Sequence, residues 1–227
     1  PLAMTDGATR LIEIYGDDFL KGTPYSGLTS RDPKKFLTSG QWMTERTGGS
    51  DVSRSMTLAS LEDGQYILRG HKWFTSAITA DMAFTLASTE QPENRKRAPL
   101  SLFYMPIRDH NGKLNGIEVE ALKDKLGTKA LPTAQLLLTG SEARLVGEKG
   151  KGVKTIATLF NVTRIYNTIS AVSYMRRAFS LSEAYGKIRE AFGKNIDQHI
   201  LYKKSLLDLE IAYESNSLIA FFLVQLL

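Results

Sequence analysis

The densest group of chemically useful residues is Met43-Thr44-Glu45-Arg46-Thr47-Gly48-Gly49-Ser50-Asp51-Val52. Thr44 and Ser50 supply hydroxyls, Gly48 and Gly49 let the backbone approach a ligand closely, and successive amides can form an anion-binding nest. A polar surface loop with an ordinary Gly-Gly turn accounts for the same residues. Further along, Gly70-His71-Lys72-Trp73-Phe74-Thr75-Ser76 closes a strand-like run with adjacent aromatics followed by hydroxyls. Neighbours on a strand point to opposite faces, so Trp73 and Phe74 cannot share one core. One of them either lies against a flat ligand or covers another element, and Ser76 shares the face of Phe74.

Other chemistries are poorly supplied. Cysteine is absent, which removes disulfides, a thiolate nucleophile and cysteine-based zinc sites, and His71, His110 and His199 are too scattered for a metal cluster or a serine-type triad. Chemistry, if present, comes from a bound cofactor. The run Gly147 to Thr155 has phosphate-loop glycine spacing, but Val153 stands where the lysine is needed, so it reads as a turn into a helix. Asn94-Arg95-Lys96-Arg97 reads as the solvated tip of a hairpin, and the Asn161-Val162-Thr163 glycosylation triplet falls inside a helical pattern. A net charge of +5 over 227 residues favours phosphate-bearing ligands without the profile of a dedicated nucleic-acid binder.

The elements that position these residues fall into three zones, 1–37, 38–147 and 148–227. The first mixes a short helical pattern, Thr9 to Tyr15, with Gly22, Pro24 and Gly27, and is too small to fold alone. In the second, Thr57 to Leu61, Tyr66 to Phe74, Met82 to Thr89, Leu100 to Met105, Ile117 to Leu122 and Ala134 to Leu138 are strand-like. Turn residues at Asp63-Gly64, Pro92-Glu93-Asn94 and Asn111-Gly112 separate them, giving a compact β domain, barrel or sandwich. After Gly152 the period lengthens to that of a helix, and two long helices joined through Phe192-Gly193-Lys194 form half of a bundle. The Leu218 to Leu227 run is about half of the ~20 residues that span a membrane, and reads as a core helix. The chain opens on Pro1 and ends inside a helical pattern, so both ends read as cut, and no compartment, mitochondrial or cytoplasmic, follows.

In order along the chain, the Thr44 loop, the Lys72-x-aromatic-x-Ser76 strand end, Lys125-Leu126-Gly127-Thr128-Lys129 through Pro132-Thr133, and Arg189-Glu190-Ala191-Phe192-Gly193-Lys194-Asn195-Ile196 together resemble the acyl-CoA dehydrogenase family of flavoproteins. Within it, Trp73-Phe74-Thr75-Ser76 and the stretch Met175 to Leu181 are similar to the adaptive-response, AidB-like branch, and so is Ile200, where most relatives carry a glutamine. The implied architecture is α+β and multidomain: the end of an N-terminal helical domain, a middle β-barrel or sandwich domain, and the first helices of a C-terminal bundle.

The resemblance implies FAD-dependent α,β-dehydrogenation of an acyl-CoA thioester. It places Met43, Thr44, Gly49, Ser50, Phe74, Thr75 and Ser76 at the cofactor, with Thr44 at the pyrimidine end, Phe74 over the ring and Ser76 near the hydride-accepting nitrogen. Arg189 and Phe192 would meet the FAD of a neighbouring subunit in a dimer of dimers, and Ser50, Asn161 and Arg164 would meet substrate. It also implies electron-transferring flavoprotein as a partner. No residue of this chain is expected to be the catalytic base: a minority of relatives place a glutamate immediately before the arginine that is Arg164 here, and this chain has Thr163. The alternative within the same branch is a flavoprotein acting mainly as a binding or stress-response module for DNA or a fatty-acyl ligand.

Overall fold

The computed structural model describes residues 2–90 and 99–227. The turn at Pro92-Glu93-Asn94 and the basic run Asn94 to Arg97 lie outside the described residues. The chain divides into two compact units, one reaching to Phe160 and the other Asn161–Leu227.

The first unit opens with α1 (Leu2–Tyr15), which buries Ala8, Leu11 and Ile12 at the spacing of one helical face. In α2 (Asp18–Lys21) the Asp17 side chain caps the start by accepting the Leu20 amide at 2.9 Å, and α3 (Thr23–Leu28) carries Pro24 in its first turn, where the missing amide costs nothing. Ile12, Leu20 and Leu28 share one core with Phe84, Leu86 and Leu102, which is how so short a helical stretch is held.

Seven strands form one sheet: β1 (Ser39–Trp42), β2 (Leu58–Glu62), β3 (Gln65–Ser76), β4 (Met82–Ser88), β5 (Leu100–Pro106), β6 (Ile117–Leu122) and β7 (Thr133–Val146). The hydrogen bonds run β4-β2-β3-β7-β5, and β5 pairs back onto β4, so the sheet closes into a barrel rather than a sandwich. β1 joins β4 in parallel and β6 pairs with β7. Along β4 every residue is buried, and the alternation assigns each to a side: Met82, Phe84 and Leu86 pack toward the helices, while Ala83 and Ala87 join Phe103, Met105, Leu136 and Leu138 inside the barrel. Each large side chain so buried contributes about 1.5–3 kcal/mol. The expected strands are all present. β7 continues to Val146 through Gly140 at φ +145°, and the short polar β1 was not expected.

The second unit contains most of α4 (Gly152–Ile188), a two-stranded hairpin of β8 (Glu190–Ala191) and β9 (Lys194–Asn195), a single 3₁₀ turn at Ile196–Gln198, and α5 (Ile200–Gln225). Gly186 lets the helices approach: a Cβ there would lie 2.6 Å from the Tyr202 ring. Large apolar side chains such as Tyr174, Ile188, Ile200 and Leu218 remain exposed along both helices. Among the described residues, no helix is long and apolar enough to cross a membrane.

Candidate functional site

The Thr44 loop is folded onto itself and fastened to the end of β3. Glu45 and Gly48 exchange backbone hydrogen bonds at 2.9 and 3.1 Å, closing a tight turn over Arg46 and Thr47. The turn needs glycine because a Cβ on Gly48 would sit 2.1 Å from the Asp51 carbonyl, whereas one on Gly49 would meet only the Thr44 methyl at 3.2 Å. Thr47 donates to the Arg54 carbonyl at 2.9 Å, and the Asp51 carboxylate accepts the Ser53 amide at 2.9 Å.

The fastening is a buried ion pair. The Lys72 ammonium, wholly excluded from solvent, donates to the Glu45 carboxylate and to the Leu86 carbonyl, both at 2.9 Å. Glu45 also accepts the Thr57 hydroxyl at 2.6 Å and the Met56 amide. Burial pushes the Glu45 carboxyl up, but the Lys72 charge and the Thr57 and Met56 hydrogen bonds outweigh it and hold Glu45 below the usual carboxylate range. Burial pushes Lys72 down, and Glu45 offsets part of that. The low value keeps Glu45 ionised at neutral pH, and in the pair each charge compensates one that alone would be costly to bury. The Trp73 amide donates to the Thr44 carbonyl and the Trp42 indole to the Ser76 carbonyl, both at 2.9 Å, completing the tie between loop and strand.

A β-bulge sets which side chains face out. Lys72 pairs with Leu136 and Thr75 with Ala134, so β3 spends three steps where β7 spends two. Without the extra residue, Lys72 would share the face of Phe74 and Ser76. With it, Lys72 and Thr75 both turn inward, while Phe74, 48% exposed, and the half-buried Ser76 face out. Trp73 is half-buried, with the Arg46 guanidinium 4.8 Å and the Lys123 ammonium 3.2 Å from its ring centre. Of the adjacent aromatics, Phe74 is therefore the one with an open face.

The Thr44 loop is tied to the end of β3 through the Trp73 amide and the Thr44 carbonyl; Gly49 packs against half-buried Thr44, exposed Ser50 follows in the loop, and Phe74 and Ser76 face out along the strand. Met43 lies in the core and Thr75 is 1% exposed, its hydroxyl without a partner among the described residues, so on this face each offers only backbone. An open aromatic ring on a strand end tied to a loop of hydroxyls and amides fits a flat, polar-edged ring system with an anionic tail, as the isoalloxazine and pyrophosphate of FAD are. Among the described residues, no group of three or more His, Asp or Glu side chains could hold a metal.

The remaining expected residues belong to the second unit. Arg164 donates to Asn161 at 3.3 Å beside a cleft of about 280 Å³ that Ile165, Thr168 and Leu223 also line. Arg189 is exposed at the foot of the β8-β9 hairpin, its carbonyl accepting the Ile196 amide at 2.9 Å. Phe192 forms the hairpin tip with Gly193, at φ +53° and +78°, and is 98% exposed. A bulky side chain in the left-handed region is uncommon, and strain of this kind collects at functional positions.

Several participants escaped the sequence reading. Trp42 was missed because Ser39–Trp42 has no alternating pattern, and Lys72 because a lysine at a strand end reads as exposed. Arg46 and Lys123 meet Trp73 only through the fold. Lys125 and Thr133 belong to the 125–133 motif, but nothing in its residue types links them to Ser76.

Two family models match the chain: the acyl-CoA dehydrogenase middle domain over residues 40–141 and the C-terminal domain over residues 150–227. Acyl-CoA dehydrogenase family member 11 of Caenorhabditis elegans is 42% identical over 235 residues, covering 100% of this chain and 38% of that protein. The AidB protein of Escherichia coli K12 is 32% identical over 230 residues, covering 97% and 41%. The crystal structure of C. elegans ACDH-11 in complex with C11-CoA superimposes with a TM-score of 0.88 at 43% identity, over 97% of this chain and 39% of that one. The chain thus spans about two fifths of these relatives. Models of successive domains of one family match in order on the barrel and on the helices after it, and the chain belongs to the acyl-CoA dehydrogenase family.

Proposed function

We propose that the full-length protein is an FAD-dependent enzyme that removes hydrogens from Cα and Cβ of an acyl-CoA thioester. The observation that carries this reading is the outward pair Phe74 and Ser76, set by the bulge and backed by the Thr44 loop. The family is one of flavoproteins, and a relative has been crystallised with C11-CoA, which supports both ligand classes.

In this reading Phe74 stacks on the ring system, the Ser76 hydroxyl and Thr75 amide lie at its hydride-accepting edge, and Thr44 with the Met43 backbone holds its pyrimidine end. Gly49 and Ser50 receive the pyrophosphate through amides and a hydroxyl. Arg189 and Phe192 serve the FAD of a neighbouring subunit in a homotetramer, the guanidinium facing pyrophosphate oxygens. Ser50, Asn161 and Arg164 position the substrate. When bound, FAD supplies the hydride acceptor. The division 1–37, 38–147 and 148–227 corresponds to the end of an N-terminal domain, the flavin domain and the start of the helical bundle.

The two carboxylates of the Thr44 loop are committed: Glu45 to Lys72 and Thr57, Asp51 to the Ser53 amide. The base that takes the α-proton therefore comes from elsewhere in the full-length protein, since the Thr163 hydroxyl cannot do the work of a carboxylate. Electron-transferring flavoprotein is the proposed acceptor of the electrons. The test is to incubate the full-length protein with FAD, an artificial electron acceptor and a series of acyl-CoAs, and to look by mass spectrometry for the enoyl product lacking two hydrogens. Binding of acyl-CoA, fatty acid or DNA with no product across the series would overturn the enzyme reading in favour of a binding module.

A further inference from the structure

Ser76 sits directly opposite Thr133 in the β3–β7 pairing, and their hydroxyls are 2.8 Å apart. Behind Thr133 lies Lys125, whose ammonium reaches the carbonyls of Leu131 at 2.7 Å and Thr128 at 2.8 Å and the Thr133 hydroxyl at 3.0 Å. An ammonium only donates, so the Thr133 oxygen must accept from it. Thr133 then has a single proton to give. Its other acceptor, the Leu131 carbonyl, lies 3.4 Å away and takes a shorter bond from Lys125 at 2.7 Å, so the 2.8 Å contact with Ser76 is the better outlet for that proton. Ser76, having accepted, turns its own proton outward beside Phe74.

We propose that Lys125, acting through Thr133, fixes the Ser76 hydroxyl as an outward hydrogen-bond donor to the flavin and so sets how firmly FAD is held and how readily it is reduced. The inference rests on the FAD reading above. Thr133 is 2% exposed, so water does not compete for the link, and each bond in such a chain polarises the next. Lys125 and Thr133 are positioning residues. The competing reading makes Lys125 only a staple for the 125–131 loop, through the carbonyls of Thr128 and Leu131.

A double-mutant cycle on the apo form of the full-length protein separates the two. FAD is titrated by fluorescence into the parent, Lys125→Met, Thr133→Val, Ser76→Ala and the combinations with Ser76→Ala. Thr133→Val cuts the relay and leaves the carbonyl bonds of Lys125 in place, which keeps the test informative if Lys125→Met fails to fold. Each relay variant should weaken FAD binding about three- to tenfold when Ser76 is present, and less than about twofold in the Ser76→Ala background. The midpoint potential of the bound flavin should shift in the first background and stay in the second. Equal losses in both backgrounds, or no loss with Ser76 present, would overturn the relay. A parent that takes up no FAD would overturn the cofactor reading itself, and the relay with it.

Discussion

Lys72→Met gives the sharpest prediction about what holds the Thr44 loop. The substitution keeps the aliphatic stem in the barrel wall but leaves the Glu45 carboxylate, 4% exposed, with only the Thr57 and Met56 hydrogen bonds. Glu45→Gln leaves the ammonium of Lys72, 0% exposed, facing an amide and the Leu86 carbonyl. Removing one partner of a buried pair costs about 3–5 kcal/mol, because an uncompensated charge stays behind. For a cooperative unit of about 150–250 residues that is a melting-temperature loss of about 6–20 °C. The double variant should lose much less than the two single losses added together, since no lone charge remains. Thermal melts by circular dichroism, with FAD titrations alongside, provide the readout. The single variants should also lose FAD affinity, because the pair joins the Thr44 loop to β3. Single variants melting with the parent, or a double variant losing the full sum, would refute the reasoning.

Further predictions concern pH, the loop, the ring site and the hairpin. Glu45 is held below its ordinary value of 4.5, so its stabilising contribution is complete above that pH and is lost as pH falls through the lower folded value. Lys72 is pushed below 10.5, so it adds stability as pH rises from its folded value toward 10.5; acid melts of the parent against Glu45→Gln should isolate the first effect. Gly48→Ala should abolish FAD retention while Gly49→Ala keeps most of it, following the 2.1 Å and 3.2 Å approaches of their Cβ positions, and dialysis against buffer measures the difference. Phe74→Ala with Ser76→Ala should weaken FAD binding more than about tenfold by fluorescence titration, from loss of stacking and of one neutral hydrogen bond. Phe192→Gly should leave the melting temperature of the apoprotein unchanged or raised, because glycine accepts φ +53° freely, yet should lower FAD retention; unchanged retention would remove Phe192 from the site.

Much of this was readable from residue types and their periods. The strands β2 to β7 were readable from strand-like runs between turn residues, and the long helices from an uninterrupted pattern from Val153 to Tyr185; β1 was not. That Phe74 and Ser76 share one face followed from strand alternation, while strand alternation alone left open whether that face is the outward one. The inward turn of Lys72 did not follow from it, because the bulge that flips it depends on pairing with β7, a contact between residues far apart in sequence. For the same reason the choice between barrel and sandwich stayed open: closure rests on β5 pairing back to β4. Trp42 and Lys123 acquire their roles only when distant segments meet, one donating to Ser76 and the other lying over Trp73.

The most direct test of the account is to purify the full-length protein with FAD bound, remove oxygen and add acyl-CoA while recording the visible spectrum. The protein should be yellow, and its flavin absorbance should bleach in proportion to the acyl-CoA added. A flavin spectrum unchanged when acyl-CoA is demonstrably bound, or a protein that takes up no FAD at all, would contradict it.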